Sequence, residues 1–413
     1  MTSVDQTVSL SPTSSDTAVC VSPPPLTLRR RLIPIEPEGV MQEASRKAGL
    51  SNFGDDSFRE ALAILCQSYN HSQTELGVAG RFFVRRELVN SLYNRLLIVE
   101  TLRRHPHIQD VPLRRPLVVT GLMRTGTTLL HRLLACADGG WYPHMWQLRT
   151  PAPSPAASFR YDRRRIAGMV EMWVARLVIP HFEKIHSLDP DQAEECVLLL
   201  RNSLYSMVME PFAHIPAYSQ WLRSTDPLPH YQFYRSQLQI LMLNAPSGFP
   251  VLKAPGHLYG IKGLMQTFPD AHVVFTHRNL DSVVASTCSL YQAVRQLTLS
   301  RQAPHLLGKQ VLHDWSCNME KAISERQFIP EQQQVDIAYR ALVKDPVGTA
   351  MGILEQFGYP TTNTTRSRME AYMAEHPQHQ KGHHTYELAD FGLTHDHVAQ
   401  SFAPYLARFA HLL

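Results

Sequence analysis

A glycine-containing loop at residues 121–128 carries the clearest chemistry in this 413-residue sequence. Its residues are Gly-Leu-Met-Arg-Thr-Gly-Thr-Thr, with the two glycines at the spacing of a phosphate-binding loop. Such glycines let the backbone curl, so that successive amide N–H groups and the N-terminus of the next helix face one anion. Thr127 and Thr128 add hydroxyl donors, and the planar guanidinium of Arg124 can bracket a phosphate or a sulfonate. We predict an anion site here; the alternative is an ordinary strand-to-helix turn with a surface arginine.

The residue after the second glycine separates two kinds of nucleotide enzyme. Nucleotide triphosphatases place a lysine there, which reaches the terminal phosphates, whereas this chain has Thr127. The difference weakens the prediction of a P-loop kinase or NTPase, which stays as an alternative function. A second alternative is a non-catalytic nucleotide-binding protein of the same fold, because a fold alone does not establish chemistry.

A second anion-binding pair is predicted further along the chain. Arg278 follows the apolar run 272–276, and Ser286 lies on the helix predicted behind it. Both side chains can reach one phosphate, to which nearby backbone amides also contribute. The alternative is that Arg278 caps a helix or forms a surface ion pair.

The elements that must position these residues alternate between short strands and helices. Four apolar runs bounded by Pro, Gly or charged residues are typical of buried parallel strands. They cover 116–120, 249–253, 272–276 and 335–339. Apolar residues at helical spacing cover 129–134, 261–267, 280–294 and 308–326. We predict an α/β fold with a P-loop-like parallel sheet flanked by helices on both faces, whose ligands bind at the carboxyl ends of the strands.

Three parts of the chain differ in composition. Residues 1–37 are rich in Ser, Thr and Pro and end near Arg29-Arg30-Arg31, so we predict a disordered arm, whose arginines could also contact a membrane or nucleic acid. Residues 38–115 have helical apolar spacing at 55–69 and 80–104 and predict an N-terminal helical layer packed on the rest. Residues 116–413 then form the α/β catalytic domain.

The overall composition excludes some classes of function. Basic and acidic residues number 40 and 36, a balance too even for the broad basic face of a duplex-binding protein. The six cysteines form no CxxC pair, which favours a reducing, cytoplasmic location. No run of about 18 apolar residues predicts a membrane span, although peripheral contact with a membrane stays open. The histidines at 105, 107, 383 and 384 offer no closed ligand set, so we expect no metal.

Several segments together resemble one enzyme family. The loop within 120–134 resembles the 5′-phosphosulfate loop of sulfotransferases that use 3′-phosphoadenosine-5′-phosphosulfate (PAPS), whose usual core is Lys or Arg, Ser or Thr, Gly, Thr, Thr. The segment 277–286 is similar to the family's 3′-phosphate motif, and 339–346 to its Tyr-x-x-Leu-x-x-Asp-Pro segment. The segment 381–393 resembles a C-terminal segment of bacterial members that closes over the nucleotide. Residues 52–62 and 194–218 look like a bacterial branch that includes mycobacterial menaquinone sulfotransferases.

This resemblance implies a reaction and a set of donor contacts. The reaction is transfer of a sulfuryl group from PAPS, a co-substrate released as the desulfated nucleotide PAP, to a hydroxyl of an acceptor. Contacts to the nucleotide are then expected from Arg124, Thr125, Gly126, Thr127, Thr128, Arg278, Ser286, Tyr339, Lys381 and Gly382, with Tyr339 near the adenine. Arg124 would also contact the transferred group.

Sulfuryl transfer further requires a group that stabilises the developing charge and a general base. His257 has the same place in motif order as the Lys-x-His segment of eukaryotic cytosolic sulfotransferases, although its spacing from Lys253 is longer. Lys253 would be the electrophilic partner. Related bacterial enzymes often have a Trp-Glu pair after the loop helix, but here Gln147 follows Trp146, and a neutral amide cannot accept the proton. We therefore rank His257 first as the base, with His144 and the pair Glu194 and Glu195 as alternatives; each histidine is equally able to be structural.

The acceptor is less well indicated than the donor. The stretch 204–221 is rich in Met and aromatic residues, which would suit either an adaptable apolar pocket or a helical core. Together with Trp141 and Trp146, it favours a small, lipophilic, hydroxylated acceptor over a polysaccharide. The acceptor's identity, the oligomeric state and the role of the arm are not determined by the sequence.

Overall fold

The computed structural model describes residues 28–71, 74–153, 164–170, 192–243, 245, 248–299, 303–376 and 387–413. Its strands are β1 (Leu117–Gly121), β2 (Gly140–Trp141), β3 (Phe249–Lys253), β4 (His272–His277) and β5 (Gln334–Ala338). They pair in parallel, in the order β2-β3-β1-β4-β5. The predicted α/β class and parallel sheet are confirmed. The edge strand β2 is too short to leave an apolar run and was not predicted.

Helices precede, connect and follow the strands. In chain order they are α1 (Leu28–Leu32), α2 (Pro37–Ala48), α3 (Arg59–Asn70), α4 (Val78–Arg104), α5 (Thr127–Leu134), α6 (Met145–Arg149), α7 (Val197–Arg201), α8 (Pro216–Ser224), α9 (Leu228–Met242), α10 (Ile261–Thr267), α11 (Leu280–Thr298), α12 (Pro304–Glu325), α13 (Tyr339–Lys344), α14 (Pro346–Gln356), α15 (Asn363–Glu375), α16 (His395–Ser401) and α17 (Ala403–Phe409). Residues 164–170 are also helical. Short 3₁₀ turns include Met207–Phe212 and Pro255–Tyr259.

Successive residues of each strand contact different helical layers, as the alternation of side chains along a strand requires. Val118 and Leu252 belong to a buried cluster that extends to α10 and α11. Leu117 and Val251 belong to another, which includes side chains of α5 and α14. Because helices cover both faces, the central strands are apolar at nearly every position, which is why the sequence reveals them as uninterrupted runs.

The N-terminal helices share a core with the sheet. Val40 of α2, Leu62 of α3 and Leu88 of α4 lie in the same buried cluster as one face of the sheet. Ile35 is fully buried and Pro37 opens α2, so ordered chain begins ahead of the predicted boundary at residue 38. Residues 1–27 of the predicted arm lie outside the described residues.

Two element boundaries differ from the sequence prediction for local reasons. The carboxylate of Asp55 accepts a hydrogen bond from the backbone N of Ser57 at 2.9 Å, and this Asx turn delays the start of α3 to Arg59. Tyr339 opens α13 instead of closing β5. Its ring therefore lies just beyond the carboxyl end of the sheet, where ligands are expected.

Candidate active site

The predicted anion loop joins β1 to α5 in a conformation that needs glycine. Gly126 has φ = 87° and Arg124 has φ = 66°, both in the left-handed region. A Cβ at Gly126 would lie 3.0 Å from the ring of Tyr339, so both the backbone angle and the space exclude a larger residue. The loop then enters α5, whose first backbone N–H groups have no partner within the helix and face the crevice side of the turn.

Two threonines fix the loop to the neighbouring strand. The hydroxyl of Thr125 donates to the backbone O of Leu122 at 2.6 Å and lies 2.6 Å from the hydroxyl of Thr276, near the end of β4. Both threonines are buried. Thr276 was not identified from the sequence, and the only available signal was its position directly before His277-Arg278. It sets the distance between the two predicted anion-binding segments.

The predicted donor residues converge at this edge of the sheet. Nε of Arg124 donates to Oγ of Ser286 at 3.2 Å, and Nη1 of Arg278 donates to the backbone O of Arg124 at 2.8 Å. The guanidinium of Arg278 also lies over the ring of Tyr339, 4.3 Å from its centroid. The structure thus connects the loop after β1, the start of α11 and the start of α13. Lys381 and Gly382 lie outside the described residues.

A second polar group lies beside the loop, around Lys253 at the end of β3. Its side chain is 0% exposed, and its Nζ lies 2.5 Å from Oε1 of Glu195 and 3.2 Å from Oγ1 of Thr128. The backbone N of Cys196 donates to the backbone O of Lys253 at 3.0 Å, which holds the segment before α7 across the end of β3. Glu195 keeps 27% of its side chain exposed. Lys253 therefore connects a partly accessible carboxylate to the first turn of α5.

Glu194, the neighbour of this carboxylate, is placed differently. Its side chain is buried, and its Oε1 accepts a hydrogen bond from the backbone N of Glu195 at 2.8 Å. The contact orients the backbone that presents Glu195. Of the two predicted carboxylates, Glu195 is the one in contact with Lys253.

His257 does not point to this group. It lies in the turn after β3 with no exposed surface, and each ring nitrogen has a partner. Nδ1 lies 2.9 Å from the hydroxyl of Tyr231, and Nε2 lies 3.3 Å from Sγ of Cys196. Burial lowers the pKa of His257 to about 3, because the charged imidazolium would lose its hydration. A buried, neutral imidazole with both nitrogens engaged is a poor general base.

His144 follows β2 and lies in a capping position. It precedes α6, where its backbone N donates to Oε1 of Gln147 at 2.9 Å and its ring stacks on Trp146. A single antiparallel bridge joins it to Ala193, two residues before Glu195. Gln147, the neutral residue after Trp146, is part of this helix cap.

Residues 116–363, more than half of the chain, match the sequence profile of the sulfotransferase family. The chain belongs to the sulfotransferase family. Solved relatives agree over nearly the whole fold. The crystal structure of sulfotransferase STF1 from Mycobacterium tuberculosis H37Rv has 33% identity and a TM-score of 0.79, covering 89% of this chain and 98% of that one. That of sulfotransferase STF9 from Mycobacterium avium has 28% identity and a TM-score of 0.81, covering 90% and 96%.

A curated relative indicates the branch of the family. The omega-hydroxy-beta-dihydromenaquinone-9 sulfotransferase Stf3 of Mycobacterium bovis is 22% identical over 298 residues, which are 68% of this chain and 72% of the relative. The family and the enzyme class inferred from the motifs are confirmed.

A cavity of about 670 Å³ is lined by Gln192 and Ala193, by Trp141 and Tyr142 and by Tyr372, among others. It therefore adjoins the segment that carries Glu195. The Met- and aromatic-rich stretch 204–221 contributes mainly buried core, in which Leu204 and Tyr218 have no exposed surface.

The described parts of the sulfotransferase show neither a metal-binding cluster nor a membrane-spanning helix. No group of three or more His, Cys, Asp or Glu side chains there has a metal-binding arrangement. No helix within the described ranges is long and apolar enough to span a bilayer.

Proposed function

We propose that this sulfotransferase moves the sulfuryl group of PAPS to a hydroxyl of a small lipophilic acceptor by in-line displacement. The observation that carries the proposal is the meeting of two groups around the start of α5. The first contains Arg124 and Arg278; the second is the pair Lys253 and Glu195, linked to α5 through Thr128. An anion loop beside an ammonium–carboxylate pair supplies both a donor site and the groups that transfer needs.

The donor nucleotide would lie across the carboxyl ends of β1, β4 and β5. Its 5′-phosphosulfate would contact the amides and hydroxyls of Thr125–Thr128 and the guanidinium of Arg124. Its 3′-phosphate would contact Arg278 and Ser286, and its adenine would lie near Tyr339. The roles of Lys381 and Gly382 rest on the resemblance of the C-terminal segment alone.

In the transfer step, we assign the electrophile to Lys253 and the base to Glu195. The acceptor oxygen attacks sulfur and forms the new S–O bond while its proton passes to Glu195. The S–O bond to the nucleotide phosphate breaks on the opposite side, and Lys253 and Arg124 neutralise the charge on the leaving phosphate oxygen. Glu195 is favoured over His257 because its carboxylate is partly exposed and contacts Lys253. His144 is the next alternative, since it adjoins the same segment.

A lipophilic acceptor is supported by the chain's relatives and by the cavity beside Glu195. The Mycobacterium bovis relative is named as a sulfotransferase of omega-hydroxy-beta-dihydromenaquinone-9, a lipophilic acceptor. Trp141, Tyr142 and Tyr372 line the cavity together with charged side chains such as Arg132 and Arg368, and the aromatic rings suit the apolar part of a small acceptor. We place the reaction in the cytoplasm because the five described cysteines are free thiols.

The test combines donor binding with product detection. We expect PAPS and PAP to raise the melting temperature of the protein and ATP to have little effect. Mass spectrometry should then detect PAPS-dependent sulfonation of hydroxylated prenylquinones or other hydrophobic alcohols. Stabilisation by ATP alone would favour a kinase or NTPase, and sulfation of glycans with none of any hydrophobic alcohol would reject the proposed acceptor class.

A further inference from the structure

Helix α17 contacts the end of β4, one residue before Arg278. The hydroxyl of Tyr405 lies 2.6 Å from Nδ1 of His277, the last residue of β4. Phe409, one helical turn further along α17, stacks on the same imidazole, with ring centroids 4.6 Å apart. His277, Tyr405 and Phe409 are all buried. The strand end that leads to Arg278 is therefore packed against α17.

The other ring nitrogen of His277 is held by β5. Nε2 lies 2.7 Å from Oδ1 of Asp336, and the same carboxylate accepts two hydrogen bonds from the guanidinium of Arg326, at 2.7 and 2.8 Å. Burial alone would raise the pKa of Asp336, but the hydrogen bonds from His277 and Arg326 hold it down to about 2. An ionised carboxylate can only accept a hydrogen bond, so Nε2 carries a proton. In the neutral ring, Nδ1 then accepts from the hydroxyl of Tyr405.

A second contact from the same region reaches the residue beside Tyr339. Nη2 of Arg340, on α13, donates to the backbone O of His411 at 2.6 Å, in the 3₁₀ turn that follows α17. The strands β4 and β5 are paired up to their last residues, so Arg278 and Tyr339 leave the sheet side by side. The chain neighbour of each is thus held by α17 or by the turn after it.

We propose that Tyr405 is a positioning residue for donor binding, which acts through His277 on Arg278 and Tyr339. This role rests on the proposed donor site and extends it to a helix beyond the family-like segment 381–393. The guanidinium of Arg278 lies over the ring of Tyr339, so movement of either strand end would displace both side chains. Buried hydrogen bonds behind such a pair keep it in the orientation that a phosphate needs.

The same contacts connect the nucleotide to the stability of α17. Coupling between two sites is reciprocal: if docking of α17 favours the arrangement that binds the nucleotide, then the nucleotide favours docking of α17. Local stability of this kind is measured by amide hydrogen exchange. We therefore expect PAP to slow the exchange of the amides in residues 403–409 of the wild type.

Tyr405→Phe tests the proposal, because it removes the hydroxyl and keeps the ring. We expect Kd for PAP, measured by calorimetry, to rise roughly two- to tenfold, the effect of one hydrogen bond. At saturating PAPS, kcat should stay close to that of the wild type, since the groups of the transfer step are untouched. PAP should also slow amide exchange in residues 403–409 less in this variant than in the wild type.

Tyr359→Phe is the matched control at the other end of the same strand. Tyr359 is buried, and its hydroxyl lies 2.8 Å from Nδ1 of His272, the first residue of β4. Both variants therefore remove a contact between a buried tyrosine hydroxyl and a histidine of β4. Tyr359→Phe should lower the melting temperature and leave Kd for PAP unchanged.

Two results would overturn the positioning role of Tyr405. If Tyr405→Phe bound PAP as tightly as the wild type, its hydroxyl would serve stability alone. If both tyrosine variants weakened PAP binding equally, the cause would be a general loss of stability. Failure of the proposed function would look different: the wild type would not bind PAP, or Arg278→Ala would bind it unchanged, and the role of Tyr405 would be rejected with it.

Discussion

The proposed donor side and the proposed acceptor side of the crevice are built in opposite ways. On the donor side, Arg124 is exposed and Arg278 and Tyr339 are half-buried, and they contact one another. On the acceptor side, Lys253 is fully buried and pairs with the carboxylate of Glu195. Removing an exposed arginine lowers affinity for an anion, whereas removing one member of a buried pair leaves an uncompensated charge. Substitutions on the acceptor side should therefore reduce activity more than substitutions on the donor side.

Glu195→Gln should produce the largest loss of turnover. The amide keeps the shape of the side chain but cannot accept the acceptor's proton, so we expect kcat to fall by roughly 10²–10⁴-fold. Donor affinity should not fall, because the contacts of Arg124 and Arg278 are untouched and Lys253 keeps its positive charge. Steady-state kinetics with saturating PAPS and calorimetry with PAP separate the two quantities.

His257→Asn is the comparison for that variant. Since His257 is buried between Tyr231 and Cys196, its replacement should lower the melting temperature and leave most of the turnover of the folded fraction. If Glu195→Gln were active and His257→Asn were folded but inactive, the base would be His257 and not Glu195.

Arg278→Ala should have the next largest effect. It should lower the affinity for the donor and leave turnover nearly unchanged. A hydrogen bond to a charged group contributes about 1.5–3 kcal/mol, so Kd for PAP should rise roughly 10- to 100-fold. The loss of the contact with Tyr339 would add to this. At saturating PAPS, kcat should stay close to that of the wild type.

Arg366→Ala provides the control, because Arg366 is an exposed arginine on α15. Its replacement should leave Kd unchanged. If Arg278→Ala also left Kd unchanged, Arg278 would not belong to the donor site. The loop would then be a turn without a second phosphate contact.

The contrast between the two sides of the crevice also explains which site residues the sequence could predict. The proposed donor residues lie within a few positions of strand ends, so the loop, Arg278 and Tyr339 could be predicted from local patterns. β3 and α10 match their predicted ranges, because apolar runs and helical spacing are also local. The contact between Lys253 and Glu195 joins residues 58 positions apart, in no common motif. His257 was ranked first from its order in a motif, whereas its burial depends on Tyr231 and Cys196 from other elements.

Glu210→Gln should have the smallest effect on turnover but a clear effect on stability. Glu210 is buried, its Oε2 accepts a hydrogen bond from the hydroxyl of Tyr259 at 2.7 Å, and burial, with the charge of Asp314, raises its pKa to about 7. A carboxyl group in an unfolded chain has a pKa near 4.3. The folded state therefore binds a proton at Glu210 more tightly than the unfolded state does. The resulting stabilisation is complete at acid pH and is lost as the pH rises through about 7.

An amide at position 210 keeps an oxygen for Tyr259 and carries no charge at any pH. Glu210→Gln should thus be more stable than the wild type at pH values above 7, on the order of 1–3 kcal/mol, and the difference should shrink toward pH 5. Thermal unfolding across this range measures it, with the exposed Glu370→Gln as the control. A variant less stable than the wild type at high pH would mean that Glu210 is held ionised by its neighbours. The protein core would then tolerate buried charge beyond the pair of Lys253 and Glu195.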